Sequence, residues 1–143
     1  MGNITYAKEW LYFSFKNFNT AKFLFDAHHY EDIVGVELQQ SIEKLLKAVV
    51  VNDNHKIPKT HDLIKLYYVI EGALSLEDES LVLLRIATDY YKDDRYPNPN
   101  YRLPSRNEIE QLLEFTENLI DKVCKILEID SQELFAKIEN EKG

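Results

Sequence analysis

The chain has 143 residues, 17 Lys and Arg against 25 Asp and Glu (net charge −8), one Cys, four Gly and four Pro, and 45% of it is apolar. That is enough material for the core of a single domain, which argues against a disordered chain, and the four glycines argue against a turn-rich β fold or a glycine-rich phosphate loop. The negative balance disfavours non-specific nucleic-acid binding, which depends on Lys and Arg neutralising phosphates, and the lone Cys124 excludes an intrachain disulfide or a thiolate zinc site.

Apolar residues recur at helical spacing almost throughout. In the first segment Tyr6, Trp10, Phe13, Asn17, Ala21 and Leu24 step by three or four, with Leu11, Phe15, Phe18 and Phe25 beside them. This pattern predicts a helix from about Thr5 to His28, buried on more than one side. After a turn at His29–Tyr30, Val34, Leu38, Ile42, Leu45, Leu46 and Val49 form the inner face of a second helix, while Gln39, Glu43 and Lys47 line another face. Glu43 precedes Lys47 by four, the favourable order for an ion pair. A polar loop, residues 52–58, ends this helix.

Thr60 is the expected N-cap of a third helix, with Asp62 in its first turn, Leu63, Leu66, Tyr67 and Ile70 on its buried face and Gly72 at its end. Ser75 with Asp78 resembles a capping box before a fourth helix built on Leu81, Leu84, Thr88 and Tyr91. Residues 93–104 (DDRYPNPNYRLP) hold three prolines and break the pattern; a connection this long in a helical domain is often functional. Ser105 and Glu108 form a capping box for a fifth helix with the seam Ile109, Leu112, Leu113, Thr116, Leu119, Ile120, Val123, Leu127. Ser131 is the expected cap of a short last helix, about 132–139. The fold expected is all-α: one domain over residues 1–143, an up-and-down bundle of five to six helices with a four-helix core over about 4–128.

The acidic excess is uneven: −1 over residues 1–50, −2 over 51–104 and −5 over 105–143. All four arginines (Arg85, Arg95, Arg102, Arg106) lie between 85 and 106. Arg suits bidentate recognition of phosphate or carboxylate, which makes this region the place for a polyanion. The motifs HExxH, GxxxxGK[ST] and GxSxG are absent. Asp26-x-x-His29 is a lone near match to a di-metal motif and reads as a solvated helix end. Neither a metal nor a cofactor is expected, and Cys124 reads as a structural thiol. There is no run of about 18 apolar residues and no basic-then-apolar leader, so a cytoplasmic protein without membrane contact is expected.

Three stretches exceed what a generic bundle needs: Gln39–Ala48 (QQSIEKLLKA), Pro58–Leu63 (PKTHDL) and Arg95–Pro97 (RYP). With the aromatic first helix around Trp10 and the turn at Tyr30, they resemble, in order and spacing, the HEPN family (higher eukaryotes and prokaryotes nucleotide-binding domain) of the small stand-alone prokaryotic type. The resemblance implies a compact helical bundle, usually homodimeric, that handles nucleotides or RNA. It also implies a minimal nucleotidyltransferase as partner in a toxin–antitoxin-like pair. Many relatives are metal-independent ribonucleases with an Arg-x(4–6)-His motif. Here His28, His29, His55 and His61 all precede every arginine, so the motif is absent and no catalytic residue is carried over.

The residues themselves leave alternatives open. Lys44, Lys47, His61, Lys65, Arg95 and Tyr96 form a candidate ligand set: Arg95 for a phosphate, Tyr96 for base stacking with Pro97 fixing the loop, and His61 for an anion at a helix start. Against this, Lys44 and Lys47 read equally as a solvated face. His61 could instead close the turn through Asp62 or a neighbouring helix, and Arg95 could anchor the loop on Glu43 or Asp94. Gln39, Gln40 and Glu43 could form a hydrogen-bonded patch in a helix or dimer contact. Tyr67–Tyr68 and Tyr90–Tyr91 each place one ring inward. A divergent ribonuclease would use His61 with Arg95, whereas a non-catalytic dimerisation scaffold would bury both. The surplus apolar stripe of the first helix fits a dimer contact of at least about 1,000 Å² in total.

Overall fold

The computed structural model describes residues 3–95 and 103–142, with residues 93–95 by their backbone. Six helices follow one another: α1 (Ile4–Asp26), α2 (Glu31–Asn52), α3 (Leu63–Ile70), α4 (Asp78–Arg95), α5 (Arg106–Ile126) and α6 (Ser131–Glu141). There is no strand among the described residues. No helix among them is long and apolar enough to cross a membrane.

Helix α2 is the centre of the bundle. It packs against α1, α3, α4 and α5 and buries residues on nearly every side, from Val34 and Leu38 to Val49, Val50 and Val51. Its tightest partner is α1, and the reason is residue size. Ala7, Ser14 and Ala21, seven apart, are all fully buried, and small side chains let two helix backbones approach closely. At the crossing Ser14 Oγ donates to the Ser41 carbonyl (2.7 Å) and Ser41 Oγ to the Ser14 carbonyl (2.9 Å). Each buried hydroxyl is thereby satisfied on the opposite helix.

This contact corrects the face expected for α1. The inner seam is Ala7, Leu11, Ser14, Phe18, Ala21 and Phe25, while Tyr6 and Phe13 point outward, 48% and 54% exposed. Ring size misleads here because the neighbour needs small residues. On α4 Tyr90, rather than Tyr91, is the inward ring. It fits because Gly35 of α2 has no side chain: a Cβ there would lie 2.7 Å from Tyr90 Cδ2. The Tyr90 hydroxyl donates to Glu108 at the start of α5, so one ring joins α2, α4 and α5.

Helix ends also differ in detail. Asp62, not Thr60, caps α3, accepting from the Ile64 and Lys65 N–H groups; the Thr60 hydroxyl accepts from Asp62 N–H. Asp130, not Ser131, caps α6. Since α4 begins at Asp78, Ser75 lies ahead of it. Ser105 caps α5 as expected, through Glu108 N–H at 3.1 Å. Helix α4 runs on to Arg95 and takes up the first three residues of the expected loop.

Gly35→Ala tests the close approach. Replacing Gly by Ala in a helix interior ordinarily gains about 1 kcal/mol. At Gly35 the substitution is expected to lose about 1–2 kcal/mol through overpacking against Tyr90, read from urea unfolding.

Candidate functional site

The site forms where the turn into α3 meets the middle of α2, around one buried carboxylate. Glu43 is only 5% exposed in its side chain, and Lys47, one turn later, is 14% exposed; Lys47 Nζ donates to Glu43 Oε2 at 2.8 Å. Glu43 Oε1 receives Gln39 Nε2 at 3.0 Å and lies 3.0 Å from His61 Nδ1. Gln39 Nε2 also reaches the His61 carbonyl (3.4 Å), and Gln40 Nε2 donates to Gln39 Oε1 at 2.7 Å.

Burial by itself would raise the pKa of Glu43. The hydrogen bonds from Lys47, Gln39 and His61, with the charge of Lys47, outweigh that and hold it below its ordinary value near 4.5. An ionised carboxylate can only accept, so His61 presents Nδ1–H to Glu43, with Nε2 on the opposite ring edge. The imidazole is 53% exposed and lies 4.5 Å from the Tyr91 ring at an interplanar angle of 31°. It opens onto a pocket of about 350 Å³ with Thr60, Asp62 and Lys65 on one side and Thr88, Tyr91 and Lys92 on the other. Thr88 helps hold the pocket together. Its hydroxyl donates to the Leu84 carbonyl (2.9 Å) and accepts from Leu63 N–H (3.1 Å), so α4 satisfies a free donor at the start of α3.

The structure therefore brings Gln39, Gln40, Glu43, Lys47 and His61 into one hydrogen-bonded patch and puts Lys65 and Asp62 beside it. Lys47 is no solvated cation, since its charge is used by Glu43, and it also lies 5.2 Å from the centre of the Trp10 ring. Lys44 belongs elsewhere. It donates to Asn17 Oδ1 at 2.6 Å and sits over Phe13, and burial, only partly offset by Glu37 and Glu43, lowers its pKa. The Arg95 side chain, Tyr96, Pro97 and Arg102 lie outside the described residues. Arg106 packs over Phe25 at 3.7 Å and faces Glu31, an anchoring role. Lys92 and Thr88 were missed from sequence because α4 reads as a simple amphipathic helix. Burial, with Asp121 and Asp130 adding to it, pushes the Cys124 thiol up to about 11, which keeps it protonated at neutral pH. No three His, Cys, Asp or Glu side chains group to hold a metal ion among the described residues.

A family model described as the HEPN domain matches residues 7–127. The chain belongs to the HEPN domain family. Among solved structures, the crystal structure of TT1696 from Thermus thermophilus matches this HEPN chain with a TM-score of 0.72 at 19% identity. The match covers 84% of this chain and 97% of that one, a likeness of fold. No curated protein matches the sequence.

Because the folded pKa of Glu43 is depressed, its contribution to stability is present above the unfolded value near 4.5 and is lost as pH falls through the folded value. In Glu43→Gln the fall in stability below about pH 5 is expected to be shallower than in wild type. At pH 7 Lys47→Met should cost about 3 kcal/mol, the low end for a buried charge stripped of its partner, because Gln39 and His61 remain. Urea unfolding across the pH range measures both.

Proposed function

We propose that this HEPN domain is a phosphate-recognising module and that the pocket under His61 takes the phosphate of a nucleotide or an RNA. The observation that carries the reading is the state of His61. A packing role would bury the imidazole, yet half of it is exposed over a pocket flanked by Lys65 and Lys92. The charge of Glu43 is already matched by Lys47, which leaves Lys65 and Lys92 against Asp62 as the charged side chains of the pocket. Tyr91, beside the imidazole, offers an aromatic wall to a base. The acidic balance of the chain limits the mode of binding to this local contact and disfavours tracking along a duplex.

The reading extends to assembly. Self-association through the outward rings of α1, Tyr6, Phe13 and Phe23, is supported by a surplus of apolar surface on one helix. A minimal nucleotidyltransferase as partner rests on the family resemblance.

One observation favours a second, catalytic reading. A buried carboxylate holds Nδ1 of His61, as an orienting group does for a general acid–base histidine, and the half-exposed ring lines the pocket. Under this reading Glu43 is a positioning residue.

Calorimetric titration with ATP and with pyrophosphate separates these ideas. Wild type is expected to bind, His61→Ala and Lys65→Ala to bind about tenfold more weakly, and Lys44→Ala to bind as wild type does. An absence of binding by wild type, or binding by the two pocket variants as tight as that of wild type, contradicts the site. For the catalytic reading, wild type cleaves single-stranded RNA and His61→Ala does not; intact RNA after incubation with wild type rules it out.

A further inference from the structure

The short link between α5 and α6 carries backbone strain at one residue. Helix α5 closes with Glu128 N–H on the Lys125 carbonyl (3.2 Å) and Ile129 N–H on the Cys124 carbonyl (2.9 Å), which holds Glu128 at φ 56°. This closing pattern usually recruits Gly, because an L side chain in the left-handed region is disfavoured roughly tenfold or more. His28 and Asn54 close α1 and α2 in the same way. The links they begin, however, lead into α2 and α3, which are locked into the core. Helix α6 is not: it buries only Leu134 and Ile138, and clefts of about 440 and 530 Å³ flank it. It also lies beyond the segment, residues 7–127, that matches the family.

The sequence offers an escape from the strain. No Gly or Pro occurs between Pro104 and Gly143, so nothing in residues 106–141 forbids one continuous helix. Straightening would return Glu128 to a helical conformation and carry Leu134 and Ile138 away from their own α1. They would need an equivalent seat, and a second copy of the chain supplies one.

We propose that two copies of this chain exchange α6, each fusing α5 and α6 into a single helix and seating Leu134 and Ile138 on α1 of the other. The contacts that hold α6 are then kept between copies: the Phe135 ring edge-on to Phe15 at 5.7 Å, Lys137 over Tyr12 at 4.1 Å, and Lys16 to Glu141 at 2.6 Å. The balance is set by the hinge, since the closed chain bears strain that the exchanged pair does not. Release of α6 is the accessible step because so little apolar surface holds it down. Tyr6 contributes to none of these contacts, so exchange is independent of any association through Tyr6.

The Lys16–Glu141 ion pair provides the readout. Protein labelled with ¹⁵N is mixed with unlabelled protein, incubated at high concentration, and treated with a carbodiimide that joins the paired amine and carboxylate. Exchange predicts Lys16–Glu141 cross-linked peptides that combine one labelled and one unlabelled half, in a species of dimer mass. Glu128→Gly removes the strain and disfavours the straight helix, and should lower the dimer association constant about tenfold per hinge, roughly a hundredfold for two. Glu128→Ala, which keeps the strain, should match wild type, and Tyr6→Glu should leave the mixed peptides unchanged. Cross-links within single chains only, at every concentration, would overturn the proposal. So would mixed peptides of equal yield in wild type and Glu128→Gly.

Discussion

The architecture around the site rests on one requirement: the carboxylate of Glu43, buried in the central helix, must be compensated. Taking a charge out of water is costly, and only a partner charge with a full set of hydrogen bonds offsets it. Lys47 supplies the charge, and Gln39 and His61 complete the shell. That shell is what fastens the polar turn before α3 onto α2, because His61 is held by its ring and, through Gln39, by its carbonyl. Thr88 of α4 then closes the other side. The pocket is therefore a by-product of neutralising one carboxylate. Its floor is rigid because weakening any contact would leave a buried charge short of a partner.

Size complementarity sets the rest of the frame. Small residues at Ala7, Ser14 and Ala21 bring α1 against α2, and the absence of a side chain at Gly35 admits Tyr90. Both contacts press on the same central helix and hold in register the face that carries Gln39, Glu43 and Lys47. Tyr6 and Phe13 are displaced outward as a consequence, while Phe15, Phe18 and Phe25 stay buried. The aromatic surface of Tyr6, Trp10 and Phe13, with Lys44 and Lys47 lodged over the last two, is the other side of tight packing within.

Two regions of opposite character result. The middle of the bundle is over-determined, with α2 touching four neighbours and its polar groups satisfied. The C-terminal end is held by two buried side chains and a strained link. The proposed recognition site lies in the first region, where positions are fixed, and the proposed helix exchange in the second. The −8 charge follows the same division, since −5 of it belongs to residues 105–143, far along the chain from His61.

Much of this protein was legible in its residues. Helical periodicity, the prolines near residue 100 and the Ser105 cap led to five to six helices with small errors at their ends, and the motifs QQSIEKLLKA and PKTHDL marked the two segments that meet at the candidate site. These are local properties, decided by spacing and by the preferences of single residues. Other features were decided only by tertiary contact. Which face of α1 turned inward depended on what α2 could accommodate, and whether Glu43 and Lys47 formed a solvated pair or a buried one depended on what covered them. That Lys92 and Thr88 would join His61, while Lys44 would not, depended on where α4 crossed the turn. Sequence spacing fixes which residues share a helix face. It cannot say which face another helix covers, because that is settled by shape and charge compensation between segments distant in the chain.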